Sequence, residues 1–502
     1  MVGDAQATQQ FAVYVDGPLP VEDYPNAAVG LLVPGAGPST SREQALAALV
    51  RGKVENSLRG GIPGGSPVIR VQSTQGTPGG PHILVGLPQG GTQPNDKRYL
   101  VVVSGEGYQG ILTSDSTRIP GLVSITDIAP TALGEAGALG SQADSSPAQT
   151  LRDLDARIDG HNHARLPASI LAGALILLLA LWRPRASLLG FGAVLFANLA
   201  LGLAEVSSFW PIQVVIALAA VSGLLLERLL RSDLQLGVFL AGVVLAYLVV
   251  LGVDGSAVAL SPFGPTQNAR FYGISNLLET MLLVPGLAGA YFLRRRLGWT
   301  AFAAVALLTF LAVGANLFGA DGGGAIVVVV AFALLAVLLA GFRGRRLALA
   351  LGGILALGAA LVALDAAVGP SSHVTRALDS GPGGLLGDLR DRVELSWDRV
   401  VHKTSVTVVV AVCVPVLVYL VVRVLRSEAP MARRALPLAF AAALVVSLLV
   451  NDSPNDVLTA GLVGFVVMQV VMLRDRCAAP VHLPESSPSP RSSPRAAVPR
   501  RS

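Results

Sequence analysis

Charge is scarce in this chain. Only 14% of its residues are Asp, Glu, Lys or Arg, where a soluble domain carries about a quarter, so a soluble fold is excluded for most of its length. Aromatic residues are few as well, at 5%, and Leu, Ala, Val and Gly carry the apolar weight. The two cysteines, Cys413 in an apolar run and Cys477 near the C-terminus, give no disulfide framework. The net charge of +5 is not gathered into one basic patch, because the arginines sit between apolar runs. That distribution argues against a nucleic-acid partner. The first residues, "MVGDAQATQQ", have neither the basic nor the apolar region of a signal peptide.

What the chain does have is hydrophobic sequence, 52% of its residues, with a mean hydropathy of +0.61. This points to an α-helical polytopic membrane protein. Residues 1–150 are polar and rich in Gly and Pro, and read as an N-terminal α/β domain. Residues 151–165 read as a juxtamembrane linker, and 166–473 alternate apolar runs with short polar breaks. The end, 474–502, is a Pro/Ser/Arg tail expected to be disordered. Because a helix needs roughly 20 apolar residues to cross a bilayer, about eleven spans are expected. They lie near 166–182, 188–204, 210–227, 236–253, 276–293, 299–318, 325–342, 347–367, 405–425, 434–450 and 457–473.

Basic residues follow every odd-numbered span, as in "RRR" from Arg294 and "RGRR" from Arg343, while "AEVSS", "GADGGGA" and "NDSPND" carry none. Lys and Arg are retained in the cytoplasm, so the N-terminal domain is expected outside and the tail inside. Exporting the domain then calls for a signal anchor ahead of the sequence, or for translocation by the first span itself.

In the N-terminal region "FAVYVDG", "AVGLLVPG" and "YLVVVSG" read as buried strands. "SREQALAALVRGKVENSL" reads as an amphipathic helix capped by Ser41 with Gln44 three residues on. "GLVSITDIAPTAL" reads as a strand, Asp127, and a helix start with Pro130 in its first turn. Strands alternating with helices suggest a parallel sheet.

"VDG" after the first strand and "TRIPGLVSITDIAPTALGE" resemble the alkaline-phosphatase superfamily, which includes sulfatases and phosphoglycerate mutases. With spans carrying "ARFYGISN", "SHVTRAL" and "VNDSPND", the chain is similar to a group of bacterial membrane proteins without an established activity. The superfamily resemblance implies two metals beside a Ser or Thr nucleophile, with Asp16 as first ligand, Thr40 as nucleophile and Asp127 as a further candidate. The domain offers only His82, His161 and His163. A reduced relative is therefore expected, holding neither a complete metal site nor a cofactor.

The other candidates are polar residues at the outer ends of spans. Glu279 lies about one turn inside the fifth, behind Arg270, Tyr272 and Asn276, and Asn316, Asp321, Asn451 and Asp452 fall at similar depth. An ionisable group inside a span is costly and faces a cavity or a partner, so these eight are expected to line one outward-facing cavity. The preceding "GSAVALSPFGPTQ" reads as a flexible substrate-access loop. His373, Arg376 and the amphipathic stretch from Val393 to Val401 suit an interfacial loop.

Three classes of function follow. The first is a plasma-membrane protein that acts on or binds a lipid-linked or phosphate-containing envelope substrate at the outer face. The second is a transporter or flippase, and the third a scaffold around an inactive phosphatase-like domain. Membrane lipids are partners in all three, and the sequence sets neither the reaction nor the oligomeric state.

Overall fold

The computed structural model describes residues 9–474, except 18, 21–23, 38, 55–61, 74–78, 269, 321, 343, 347, 351, 354, 355, 357–393, 395, 396, 398, 399 and 452. The N-terminal part is built on strands β1 (Ala12–Asp16), β2 (Ala28–Val33), β3 (Ser39–Ser41), β4 (Val71–Ser73), β5 (His82–Gly86), β6 (Thr92–Pro94), β7 (Tyr99–Ser104), β8 (Gly110–Thr113), β9 (Leu122–Ser124) and β10 (Gly140–Gln142). The main sheet runs β10-β8-β2-β7-β5-β1-β4, with β9 also on β2, while β3 pairs with β6 apart from it.

The sheet is mixed and not parallel as expected. β7 lies between β2 and β5 and is antiparallel to both, with Val29 opposite Val102 and Ile83 opposite Val103. The reversal follows from the connection β5 to β7, which returns through the short β6 arm without a crossover helix. The remaining neighbours of β1 and β2, apart from β7, are parallel to them, so the carboxyl ends of β1, β2, β5, β8 and β9 share one edge.

Alternation of side chains gives each face its own core. Ala28 and Leu32 of β2 face α1 (Arg42–Arg51) and α2 (Ile128–Leu133), packing with Ala45, Leu49, Ile128 and Ala132. Ser41 and Gln44 form the expected capping box on α1. Val29, Leu31 and Val33 point the other way, onto Leu151, Leu154 and Ile158 and onto Ala259 and Leu260.

Leu151, Leu154 and Ile158 belong to α3 (Pro147–Trp182), 36 residues in one piece. The stretch expected as a linker is thus continuous helix, and its Leu/Leu/Ile stripe forms the third layer over the sheet. At 1.5 Å per residue α3 is about 54 Å long, enough to cover the sheet and still cross a bilayer core of about 30 Å.

The rest is helical: α4 (Pro184–Leu203), α5 (Phe209–Leu229), α6 (Asp233–Val253), α7 (Gly255–Ala259), α8 (Asn276–Leu297), α9 (Trp299–Gly314), α10 (Gly322–Ala340), α11 (Thr404–Leu425), α12 (Met431–Val450) and α13 (Pro454–Arg474). Among the described residues nine helices are long and apolar enough to cross a membrane, counting α3. α9, the expected sixth span, is shorter at 16 residues, because the chain turns at Ala315 and bonds back through Phe318 N–H to the Ala315 carbonyl. Most of the expected eighth span lies outside the described residues.

α8 is the central helix, with 94% of its apolar stretch enclosed, and α11 the most peripheral, with 17%. α4 and α5 meet through small residues: a Cβ on Gly223 would run into the Ala186 carbonyl and stand 2.7 Å from Gly190 N. Close backbone approach of this kind is how helices associate where hydrophobicity gives no preference. At the end away from the sheet, Asp233 of α6 accepts from Arg185 of α4 (3.1 Å) and Arg295 of α8 (2.8 Å), tying three helices together.

The connection 254–275 is not the flexible loop its composition suggests. Val258 and Phe263 are fully buried, and Asn198 of α4 binds the segment from within. The Asn198 amide donates to the Tyr247 hydroxyl and to Ser261 Oγ, and its carbonyl accepts from Phe263 N–H. Three satisfied polar contacts in an apolar interior fix one conformation.

Candidate functional site

The end of the bundle that carries the sheet gathers the expected residues. Asn276 is the first residue of α8, and Ser275 before it caps the helix by accepting from Leu278 N–H and donates to the Phe263 carbonyl. One turn on, Glu279 is 0% exposed. Asn451, just past α12, donates to Glu279 Oε2 at 2.6 Å and to Ser447 Oγ at 2.8 Å. Two residues remote in sequence are thus in direct contact inside the bundle, enclosed and closed to solvent. Gly323 of α10 presses on the same amide, since a Cβ there would lie 2.5 Å from Asn451 Oδ1.

Arg270 reaches the turn between α9 and α10, donating to the Gly319 and Ala320 carbonyls at 3.3 and 3.4 Å. Asn316 is buried in that same turn. Asp321 and Asp452 lie outside the described residues, as do His373 and Arg376.

Arg118 is the residue that sequence reasoning missed. It stands between β8 and β9 in a left-handed conformation, φ 54°, which is uncommon for a side-chain-bearing residue. Its guanidinium stacks over the Tyr272 ring, 4.0 Å from the centroid, and donates to the Asn316 carbonyl at 3.1 Å. No carboxylate pairs with it among the described residues. Arg118 from the sheet and Arg270 from the bundle therefore hang on carbonyls of one short turn. Its one sequence signal is its place in "STRIP", at a strand-to-strand turn.

The three candidates in the α/β part share the carboxyl edge of the sheet, where open α/β folds bind ligands, yet two are committed to structure. The Thr40 hydroxyl donates to Asn95 Oδ1 at 3.1 Å and is buried. Asn95 in turn donates to the Asn268 carbonyl of the bundle at 2.8 Å, so this edge is closed against the segment before Arg270. Asp127 accepts from Ser114 Oγ, Ser116 Oγ and Ser124 N–H, locking the turn ahead of α2. Burial pushes its carboxyl above the ordinary range, against the pull of those three donors. Asp16 ends β1 and accepts from Gly17 N–H.

His161 accompanies a second seam contact. Its ring sits against the Val206 carbonyl at 2.7 Å, beside Arg157, which pairs with Glu205 at 3.0 Å. His163 is exposed and bonded to the Asp159 carbonyl. Among the described residues no three His, Cys, Asp or Glu come together in a way that could hold a metal ion. Arg98 adds an ion pair to each of Asp155 and Asp159, fastening the sheet to α3. Comparison with protein-family models, with curated proteins and with solved structures finds no match to this chain, so the reading of the site rests on its geometry.

Proposed function

We propose that this is a multi-pass plasma-membrane protein of the bacterial envelope that binds a phosphate- or carboxylate-bearing, membrane-associated substrate at the seam between its outer domain and its bundle. The arginine-rich helix ends opposite the sheet support an inside location for that end, with the sheet outside. About eleven spans fit the helix ends: α10 starts beside Asn451, and α11 finishes beside Arg434, whose guanidinium donates to the Leu425 carbonyl. The end of α10 and the start of α11 thus lie at opposite ends of the bundle, which supports one more span between them.

The observation that carries the reading is Arg118. A guanidinium has five N–H donors in a planar fork suited to phosphate and carboxylate, and among the described residues this one gives a single hydrogen bond to the protein. Stacking on Tyr272 holds the plane of the fork. The reading carries binding and no reaction step, because Thr40 and Asp127 are spent on structural bonds. The test is native mass spectrometry of the full chain released from nanodiscs of mixed phosphatidylglycerol and phosphatidylcholine. Arg118→Gln should weaken retention of the anionic lipid at least about tenfold, since a hydrogen bond from a charged donor contributes about 1.5–3 kcal/mol. Equal retention by wild type and variant refutes it.

A second reading, a transporter or flippase, is favoured by Glu279, a carboxylate fully enclosed in the central helix. Here Glu279→Gln would stop movement of a fluorescent anionic lipid across proteoliposomes while leaving its binding intact.

A further inference from the structure

At the end of the bundle away from the sheet, α8 finishes in three arginines that the fold uses differently. Arg295 turns to Asp233 of α6, a carboxylate it shares with Arg185. Arg296 is exposed. Arg294 turns to α9 and lays its guanidinium over the Trp299 ring, 4.0 Å from the centroid. Gly298 makes this meeting possible. At φ 81°, where side-chain-bearing residues are rarely found, it ends α8 and opens α9 within one residue.

The ring is fixed from behind. Trp299 stands edge-on to Phe302, with centroids 5.4 Å apart, and Phe302 stands edge-on to Phe332 of α10 at 5.8 Å. Both phenylalanines are buried, so packing sets the plane of the guanidinium. Stacking uses the face of that plane and leaves its N–H groups, which lie in the plane, pointing past the ring. Among the described residues Arg294 has no carboxylate partner and gives no hydrogen bond. Its Nε is enclosed, while the terminal nitrogens are not. Those two carry four N–H donors between them. Asp233 is already shared by two other arginines, so this corner keeps unspent positive charge.

Beside the guanidinium, α9 leaves a stripe uncovered. Trp299, Ala303 and Leu307 recur every four residues and so share one helix face. All three are exposed, Trp299 by 43% and Leu307 by 49%, whereas Phe302 and Val305 are buried. At 1.5 Å per residue the stripe runs about 12 Å from the ring into the apolar part of the bundle. Ala303 makes it a shallow trough between two larger side chains. A water could accept from the fork, but it brings no charge and makes no use of the trough. A soluble phosphate would fill the fork alone. An anionic head joined to a hydrocarbon chain uses both.

We propose that Arg294 and the outer stripe of α9 form a binding site for one anionic phospholipid in the leaflet away from the sheet. Its phosphate accepts from Nη1 and Nη2 of Arg294, and one acyl chain lies along Trp299, Ala303 and Leu307. The site is at the opposite end of the bundle from Arg118 and is independent of the reading made there.

The test reads Trp299 alone. Trp182, Trp210 and Trp397 are 82%, 74% and 66% exposed, and each is replaced by Phe in the full chain. The protein is reconstituted in mixtures of phosphatidylglycerol and phosphatidylcholine, one of the two brominated on its chains, and quenching of the Trp299 emission gives their relative occupancy. Phosphatidylglycerol should be preferred about tenfold, as one charged hydrogen bond requires, and Arg294→Gln should bring the preference close to one. If Arg294→Gln does not fold, Arg294→Lys, which keeps the charge and loses the planar fork, should still lower the preference severalfold. Arg423→Gln, which removes an exposed arginine of α11 at the same end of the bundle, should leave it unchanged. Added inorganic phosphate at constant ionic strength should not reduce it. No preference for phosphatidylglycerol while Arg294 is present overturns the proposal, and so does a preference that survives both Arg294 variants. An equal loss in Arg423→Gln also overturns it, as diffuse attraction to the basic end. Displacement by inorganic phosphate overturns it as an ion site without a chain.

Discussion

Replacing Gly223 by Ala adds one methyl group where α5 crosses α4. The new Cβ would stand 2.7 Å from Gly190 N and 2.9 Å from Gly190 Cα, and would collide with the Ala186 carbonyl. An ordinary non-bonded separation is about 3.5 Å, so clearing Gly190 N alone would part the two helices by roughly 0.8 Å, and clearing the nearer Ala186 carbonyl takes more. A gap of about 0.5–1 Å forfeits a quarter to a half of each atom pair's attraction, and the loss is shared by Ala186, Gly190 and Ala220 along the contact. Overpacking in a filled interior costs about 1–3 kcal/mol, and the expected destabilisation lies in that range. Gly242→Ala is the matched control: it sits inside α6, and a Cβ there meets nothing within 4 Å. Unfolding of both variants is followed by intrinsic tryptophan fluorescence in one detergent. Gly223→Ala should fall clearly below wild type while Gly242→Ala stays level or rises. Equal stability of the two variants would refute the close-approach argument.

Three further outcomes are expected. Asp233→Asn should cost about 1.5–3 kcal/mol, as charged hydrogen bonds do, because it releases both Arg185 and Arg295; Arg185→Gln should cost less, since Arg295 keeps its partner, and the reverse order in chemical denaturation would refute the triad. In the proposed orientation Leu317→Cys, in a background without Cys413 and Cys477, should react with an impermeant maleimide added to intact cells, because Leu317 is 66% exposed; labelling only after permeabilisation would reverse the topology. Burial raises the Asp127 carboxyl above 3.8, so the folded domain holds that proton more tightly than the unfolded chain. The stability this gives is complete below the unfolded value and is lost as pH rises through the folded one. The unfolding temperature of wild type minus that of Asp127→Asn should accordingly fall with rising pH across that window, and a rising difference would contradict it.

Much of this architecture is legible in the residues. The apolar run 276–293 becomes Asn276–Leu297 and 405–425 becomes Thr404–Leu425, because length and hydropathy alone decide whether a helix is long and apolar enough. Ser41 with Gln44 caps α1 as its spacing requires. The direction of β7 is not legible, since a strand buried on both faces reads the same either way. The first half of α3 hides because only Leu151, Leu154 and Ile158 face the core, a narrow stripe among Asp and Arg. Pro262, Gly264 and Pro265 mark a loop but say nothing of its depth. For the candidate site, sequence gives Glu279 and Asn451 a similar depth at the ends of their spans, yet not that these two touch. Arg118 gave even less, since its importance comes from Tyr272 beneath it and from the lack of a carboxylate partner among the described residues.

The sheet borrows its third layer from α3 and from residues 259 and 260, and this constrains the order in which the protein can be made. Strand β10, the last of the sheet, is complete on the order of a hundred residues before Ala259 is synthesised. At roughly 5–20 residues per second, Val29, Leu31 and Leu100 wait on the order of ten seconds without part of their cover. During that interval the nascent domain presents an apolar face covered only by the α3 stripe, and finishing it depends on α4 to α7 having been laid down. The domain therefore matures after the bundle has begun to assemble, and a fragment ending before α3 would keep that face open.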